Sequence, residues 1–124
     1  MNDSETDSQS IKALIVFREN GETDNLFVPI LCDAIRMAGI DVRCSTKEFW
    51  DSDKHYDIIH FQWPEEVVGW TCNDPDIIRR LEERISFFRS RGTRFVYTRH
   101  NVRPHYANGI ISRAYDIIES QSDI

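Results

Sequence analysis

The densest collection of chemically able side chains runs from Arg99 to His105, where Arg99, His100, Asn101, Arg103, Pro104 and His105 stand within seven residues. The two imidazoles can exchange protons, the Asn101 amide can donate and accept, and the guanidinium forks of Arg99 and Arg103 suit a phosphate or a carboxylate. Sugar hydroxyls and phosphates are ligands such a set can hold. A plainer reading stands beside it, in which His100 and Asn101 satisfy backbone groups in a tight turn ahead of Pro104. A second group, Trp63, Pro64, Glu65 and Glu66 followed by Trp70, joins an indole face able to stack on a sugar ring to carboxylates able to accept hydroxyl protons. Here too a bland alternative holds: Trp63 as core packing, Glu66 as a solvated acid at a helix start.

A third loop, the RENGETD stretch with Gly21 and Glu22, contains neither a G-x-G-x-x-G nor a Walker pattern, so a tightly held dinucleotide or nucleoside triphosphate is not indicated. Gly21 reads first as a turn. His60, between Ile59 and Phe61, fits a hydrogen-bonded core histidine better than a functional one. His60, His100 and His105 lack a thiolate pair or an H-E-x-x-H motif beside them, and no metal is expected.

The elements that must position these loops follow from periodicity. Ala13 to Phe17 is an unbroken apolar run, the mark of a strand covered on both faces, within a first strand over 11–17. A helix follows with Phe27, Val28, Leu31, Ala34, Ile35 and Ala38 on one face, Thr23 or Asp24 as N-cap and Gly39 as its stop. Pro29 requires either a start near Val28 or a kink. Further strands are expected over Ile40–Cys44, Asp57–Gln62 and Arg94–Thr98, with room for at most a turn or two of helix between the second and third. Asn73 or Asp74 caps a helix with Pro75 in its first turn and Ile77, Ile78, Leu81, Ile85 and Phe88 as its stripe, ended by Gly92. A last helix from about Gly109 to Ser120 turns Ile110, Ile111, Ala114, Ile117 and Ile118 inward. Alternating strands and amphipathic helices predict an α/β, three-layer Rossmann-like sandwich with a mostly parallel sheet in the order 2-1-3-4. In that order the three loops meet at a crevice beyond the carboxyl ends of the strands.

At 124 residues the chain has the length of one domain, with residues 1–10 an acidic tail and 11–124 the folded unit. The tail has neither a basic nor an apolar region of a secretory signal, and with three unpaired-looking cysteines, Cys32, Cys44 and Cys72, a cytoplasmic location is expected. A net charge of −6 argues against nucleic acid as a partner, although Arg89, Arg91, Arg94, Arg99 and Arg103 leave one segment locally basic. The chain ends at Ser122, Asp123 and Ile124, where a fifth strand is expected to begin, which reads as a truncation ahead of a second domain.

The combination DIIHFQWPEE, then RSRGTRFVYTRHNVRPH, then a helix carrying AYDII resembles the amino-terminal domain of bacterial GT-B glycosyltransferases related to the family-4 group. The H-x-x-W-P-E and T-x-H-N-x-x-P-H motifs of those proteins border an interdomain cleft, and the likeness covers about Ile11 to Ile124. It implies transfer of a sugar from a nucleotide-sugar donor to a hydroxyl of a glycan or lipid-linked sugar. The donor would sit in a carboxyl-terminal domain, so this chain is expected to hold no cofactor and to be inactive alone. By position His100 is similar to the family's strand-end histidine at the reaction centre, with Glu65 and Asn101 as cleft-lining partners. Trp63, Arg99, Arg103, His105, Gly21 and Glu22 complete the expected substrate-binding set. The single glycine of the first loop departs from the glycine pair of many relatives, which puts donor contact by Gly21 in question. Peripheral membrane association of the full-length enzyme and weak self-association of the chain belong to the same expectation. The rival is a stand-alone, non-catalytic sugar-binding or regulatory α/β module. In its receiver form it needs an Asp where Gln62 and Trp63 stand.

Overall fold

The computed structural model describes residues 11–17, 27–69, 74–99 and 109–124. Four strands, β1 (Lys12–Val16), β2 (Asp41–Cys44), β3 (Ile58–Phe61) and β4 (Arg94–Tyr97), form one parallel sheet in the order β2-β1-β3-β4. The five helices among the described residues are α1 (Phe27–Met37), α2 (Thr46–Asp51), α3 (Pro64–Val68), α4 (Asp76–Arg89) and α5 (Gly109–Gln121). This is the expected α/β class and strand order.

Strand alternation sorts the core into two layers. Leu14 and Val16 of β1, Ile59 and Phe61 of β3 and Phe95 of β4 face the larger layer. They meet Phe49 of α2, Val67 of α3, Ile78, Leu81, Ile85 and Phe88 of α4, and Ile111, Ala114, Tyr115 and Ile118 of α5. Phe61 and Phe95 stack there with ring centroids 5.8 Å apart. Ala13, Ile15 and Phe17 point the other way, onto Val28 and Cys32 of α1 and Val42 of β2. On that second face β3 and β4 present Ile58, His60 and Val96, all half-buried.

The stripe expected of α4 is buried residue for residue. Its assigned start falls after Pro75 rather than before it, and the Asp74 carboxylate accepts the Asp76 N–H at 3.0 Å. The α1 stripe differs from expectation. Val28, Leu31, Cys32 and Ile35 turn inward while Ala34 and Ala38 are exposed, because the first four share one helical face, Ala34 is rotated off it and Ala38 lies past the end of the helix. Pro29 falls in the first turn, where its missing N–H costs nothing. Gly39 and Gly92, at φ 91° and 92°, end α1 and α4 in left-handed turns that other residues adopt only with strain. Residues 122–124 lie along the outer edge of β4, where Tyr97 donates to the Ile124 carbonyl at 3.0 Å and Asp123 donates to the Phe95 carbonyl at 2.8 Å. No helix among the described residues is long and apolar enough to cross a membrane.

Candidate functional site

A parallel sheet ends all its strands on one side, and the segments leaving β3 and β4 emerge there together. Thr98 donates its backbone N–H to the Phe61 carbonyl at 3.1 Å, which fixes the exit of β4 against the exit of β3. Beyond Phe61 the chain runs through Gln62 and Trp63 into α3. Pro64 occupies the first helical position and Glu65 and Glu66 the first turn. Trp63 starts the helix without a side-chain cap.

The two acids are among the most buried charged residues described, Glu65 at 2% and Glu66 at 6% relative exposure. A carboxylate so far from water needs donors. Tyr115 of α5 supplies one, its hydroxyl donating to Glu65 Oε2 at 2.8 Å. The bond ties α5 to α3 at the strand ends. Trp63 is half-buried on the opposite face, its ring 5.9 Å from that of Phe17. The W-P-E-E segment therefore straddles the sheet edge, with its indole on the α1 side and the Glu65 carboxylate on the α5 side.

His60 lies one residue pair below the edge. Its Nε2 is 2.6 Å from Thr98 Oγ1 and 3.0 Å from the amide nitrogen of Gln62. Both contacts fall on the same ring nitrogen. The imidazole thus joins the exits of β3 and β4, the hydrogen-bonded role that its place in the strand suggested.

Arg99 stands exposed just past β4 and pairs with Glu119 of α5 at 2.8 Å. The Glu119 carboxylate, by hydrogen bond and charge, raises the Arg99 pKa. Beside it, burial first, and then the nearby Glu119 charge, raise that of the Tyr97 phenol. Of the residues expected to bind substrate, the structure brings Trp63, Glu65 and Arg99 to one edge. Gly21, Glu22, His100, Asn101, Arg103 and His105 lie outside the described residues, as do Trp70 and Cys72. Two residues of the edge, Tyr115 and Thr98, stand in the AYDII and T-x-H-N segments but had no role expected of them there. Tyr115 was signalled by its i+4 spacing from Ile111 and i−3 spacing from Ile118 on the buried stripe of α5. Among the described residues no three His, Cys, Asp or Glu side chains gather as a metal site.

The edge combines an aromatic face, two carboxylates fixed in an apolar surround and a guanidinium held by an acid. Of these groups the half-buried Trp63 ring and the exposed Arg99 can meet a polyhydroxylated ligand, while the buried carboxylates can only brace the edge from within. Comparison with known protein families, with curated proteins and with solved structures finds no match to this chain.

Proposed function

We propose that this chain is the acceptor-side, Rossmann-like amino-terminal domain of a GT-B glycosyltransferase, which moves a sugar from a nucleotide-sugar donor to a hydroxyl of a glycan or lipid-linked sugar. The observation that supports it is the W-P-E-E segment at the carboxyl edge, with Trp63 half-buried and Glu65 held by Tyr115 at 2.8 Å. Ligands of open parallel sheets bind beyond that edge, where β1 has β2 on one side and β3 on the other.

On this reading the acceptor sugar stacks on Trp63. His100 acts at the reaction centre, and Asn101, Arg103, His105, Gly21 and Glu22 belong to the substrate-binding set. Glu65 acts chiefly by bracing, because at 2% exposure it offers a hydroxyl almost no surface. The domain contributes orientation, exclusion of water and fixed dipoles as the donor bond breaks. The nucleotide is held by a second domain.

Titration of the isotopically labelled chain, followed by NMR, tests the assignment. Acceptor-type oligosaccharides should move the Trp63 indole N–H resonance. Nucleotide sugars should bind only with a Kd on the order of millimolar, about −4 kcal/mol, and no label should be transferred. Micromolar affinity for a nucleotide sugar would place the donor site on this chain and overturn the assignment. Oligosaccharide binding with no transfer activity even in the longest natural product of the gene would favour a non-catalytic module.

A further inference from the structure

The opposite end of the sheet carries a feature that the proposed transfer reaction does not use. Lys12 opens β1, and Asp41 and Arg43 belong to β2, with Lys12 opposite Asp41 and Leu14 opposite Arg43 in the ladder. Since Leu14 faces the larger core layer, alternation sends Lys12, Asp41 and Arg43 to that same side. The segment Lys54–Tyr56 crosses in front of them before entering β3. These six residues line an open cavity of about 400 Å³. The size falls in the range of roughly 300–1,000 Å³ usual for small-molecule sites.

The charges around it are not all committed. Tyr56, 5% exposed, forms a rigid wall whose hydroxyl donates to Glu48 Oε1 at 2.5 Å, and Lys54 lies 3.9 Å from the same carboxylate. His55 pairs with Asp57 at 3.1 Å, and the other Asp57 oxygen accepts the Lys12 backbone N–H at 2.9 Å. The side chains of Lys12, Arg43 and Asp41 take part in no salt bridge among the described residues. Three cations, Lys12, Arg43 and Lys54, and the Asp41 carboxylate therefore line one concavity in a chain whose net charge is −6, with Glu48 near Arg43 and Asp57 near Lys12.

That pairing discriminates between ligands. A guanidinium fork beside an ammonium suits a phosphate. Asp41 repels a bare anion, yet accepts hydrogen bonds from hydroxyls held a few ångströms from the phosphate. We propose that this cleft is a second binding site, for a small phosphomonoester that carries free hydroxyls. Its phosphate lies between Arg43 and Lys12, and its hydroxyls donate to Asp41. The site lies at the amino ends of the strands, away from Trp63 and Glu65, and its occupancy is independent of the transferase reading.

The test uses the 124-residue chain with ribose 5-phosphate as probe, and inorganic phosphate and ribose as controls, by calorimetry and by amide chemical shifts. Ribose 5-phosphate should saturate, with shifts at Lys12, Asp41 to Arg43 and Lys54 to Tyr56. Inorganic phosphate should bind about tenfold more weakly and ribose not measurably. Arg43→Ala should weaken the sugar phosphate by about tenfold or more. Asp41→Asn should weaken the sugar phosphate while leaving inorganic phosphate unchanged or tighter. Both positions are exposed, so the variants retain the fold. Failure to saturate, equal affinity for inorganic phosphate, indifference to Arg43→Ala, or shifts confined to the carboxyl edge would each overturn the proposal.

Discussion

Tyr115 determines how Glu65 can be buried. Its hydroxyl is a donor to a carboxylate that is 2% exposed, and losing it strips a buried acceptor of a partner without giving water in return. Tyr115→Phe should cost about 1–3 kcal/mol in urea denaturation, against little or nothing for a Tyr-to-Phe change at an exposed phenol. An unchanged midpoint would remove the bracing role given to Glu65. The two histidines of interest should separate in kind. His60→Ala loses contacts to Thr98 and Gln62 and should lower stability by about 1–3 kcal/mol. On the proposed transferase reading, His100→Ala in the full-length protein should lower kcat/KM by about 10–1,000-fold with the melting temperature kept. An active His100→Ala enzyme, or one inactive only because it unfolds, removes that histidine from the reaction centre. Asp57 adds a pH dependence. The Lys12 backbone N–H first, and the His55 ring after it, hold its pKa below the ordinary aspartate value. The stabilisation is therefore complete above the unfolded aspartate pKa and is lost as the pH falls through the lower folded one. Asp57→Asn should flatten the acid limb of a melting-temperature profile, and an identical limb in the variant would assign acid sensitivity elsewhere.

Elements show where local chemistry was readable and where packing decided. The α4 stripe was legible because Ile77, Ile78, Leu81, Ile85 and Phe88 keep a strict helical period between a proline and a glycine. The α1 stripe was half legible. The i, i+3, i+4, i+7 spacing from Val28 admits Leu31, Cys32 and Ile35 to the apolar face, and Ala34, about 200° around the helix from Cys32, does not belong to it. Helix α3 has five residues, too short for any period to register, so its buried acids looked like surface ones. Helix α2, with six residues, is nearly as short, yet it carries a signal in Ser45 and Glu48, the spacing of a capping box. Ser45 is fully buried, its Oγ accepts the Glu48 N–H at 3.0 Å, and the helix it starts delivers Phe49 to the centre of the core. Ser45→Ala should destabilise by about 0.5–2 kcal/mol, and Ser45→Asp, which retains an acceptor, by less if the buried site admits its charge. Equal stability of the wild type and the alanine variant would mean that packing of Phe49 alone sets this helix.

At the scale of the whole molecule the order β2-β1-β3-β4 was readable, because right-handed crossovers and two helical faces leave few arrangements for four parallel strands. The unequal weight of the two faces was not readable, since it depends on which helix goes to which side. Helices α2, α3, α4 and α5 all pack on one face, whereas α1 covers the other, chiefly over β1 and β2. Opening free energies follow the apolar contacts that must be broken, so the two layers should not open together. Detaching α1 exposes Val28, Cys32 and the strand residues beneath them, while detaching α4 dismantles the layer around Phe49, Phe61 and Phe88. Native-state hydrogen exchange should find the amides of β3 and α4 opening only with global unfolding and those of α1 opening at lower free energy, with protection smaller by about 10–100-fold. Thiol labelling gives a second readout in a Cys72→Ser background. Cys32 is 2% exposed, and its contact with Cys44 lowers its pKa to about 7 against the opposing effect of burial. At 2% exposure, access limits its reaction. Cys32 should label more slowly than the half-buried Cys44, yet faster than global unfolding allows. If Cys32 reacts only as fast as the whole chain unfolds, and α1 amides exchange as slowly as those of α4, the two layers form one cooperative unit and the asymmetry of the sheet has no energetic consequence.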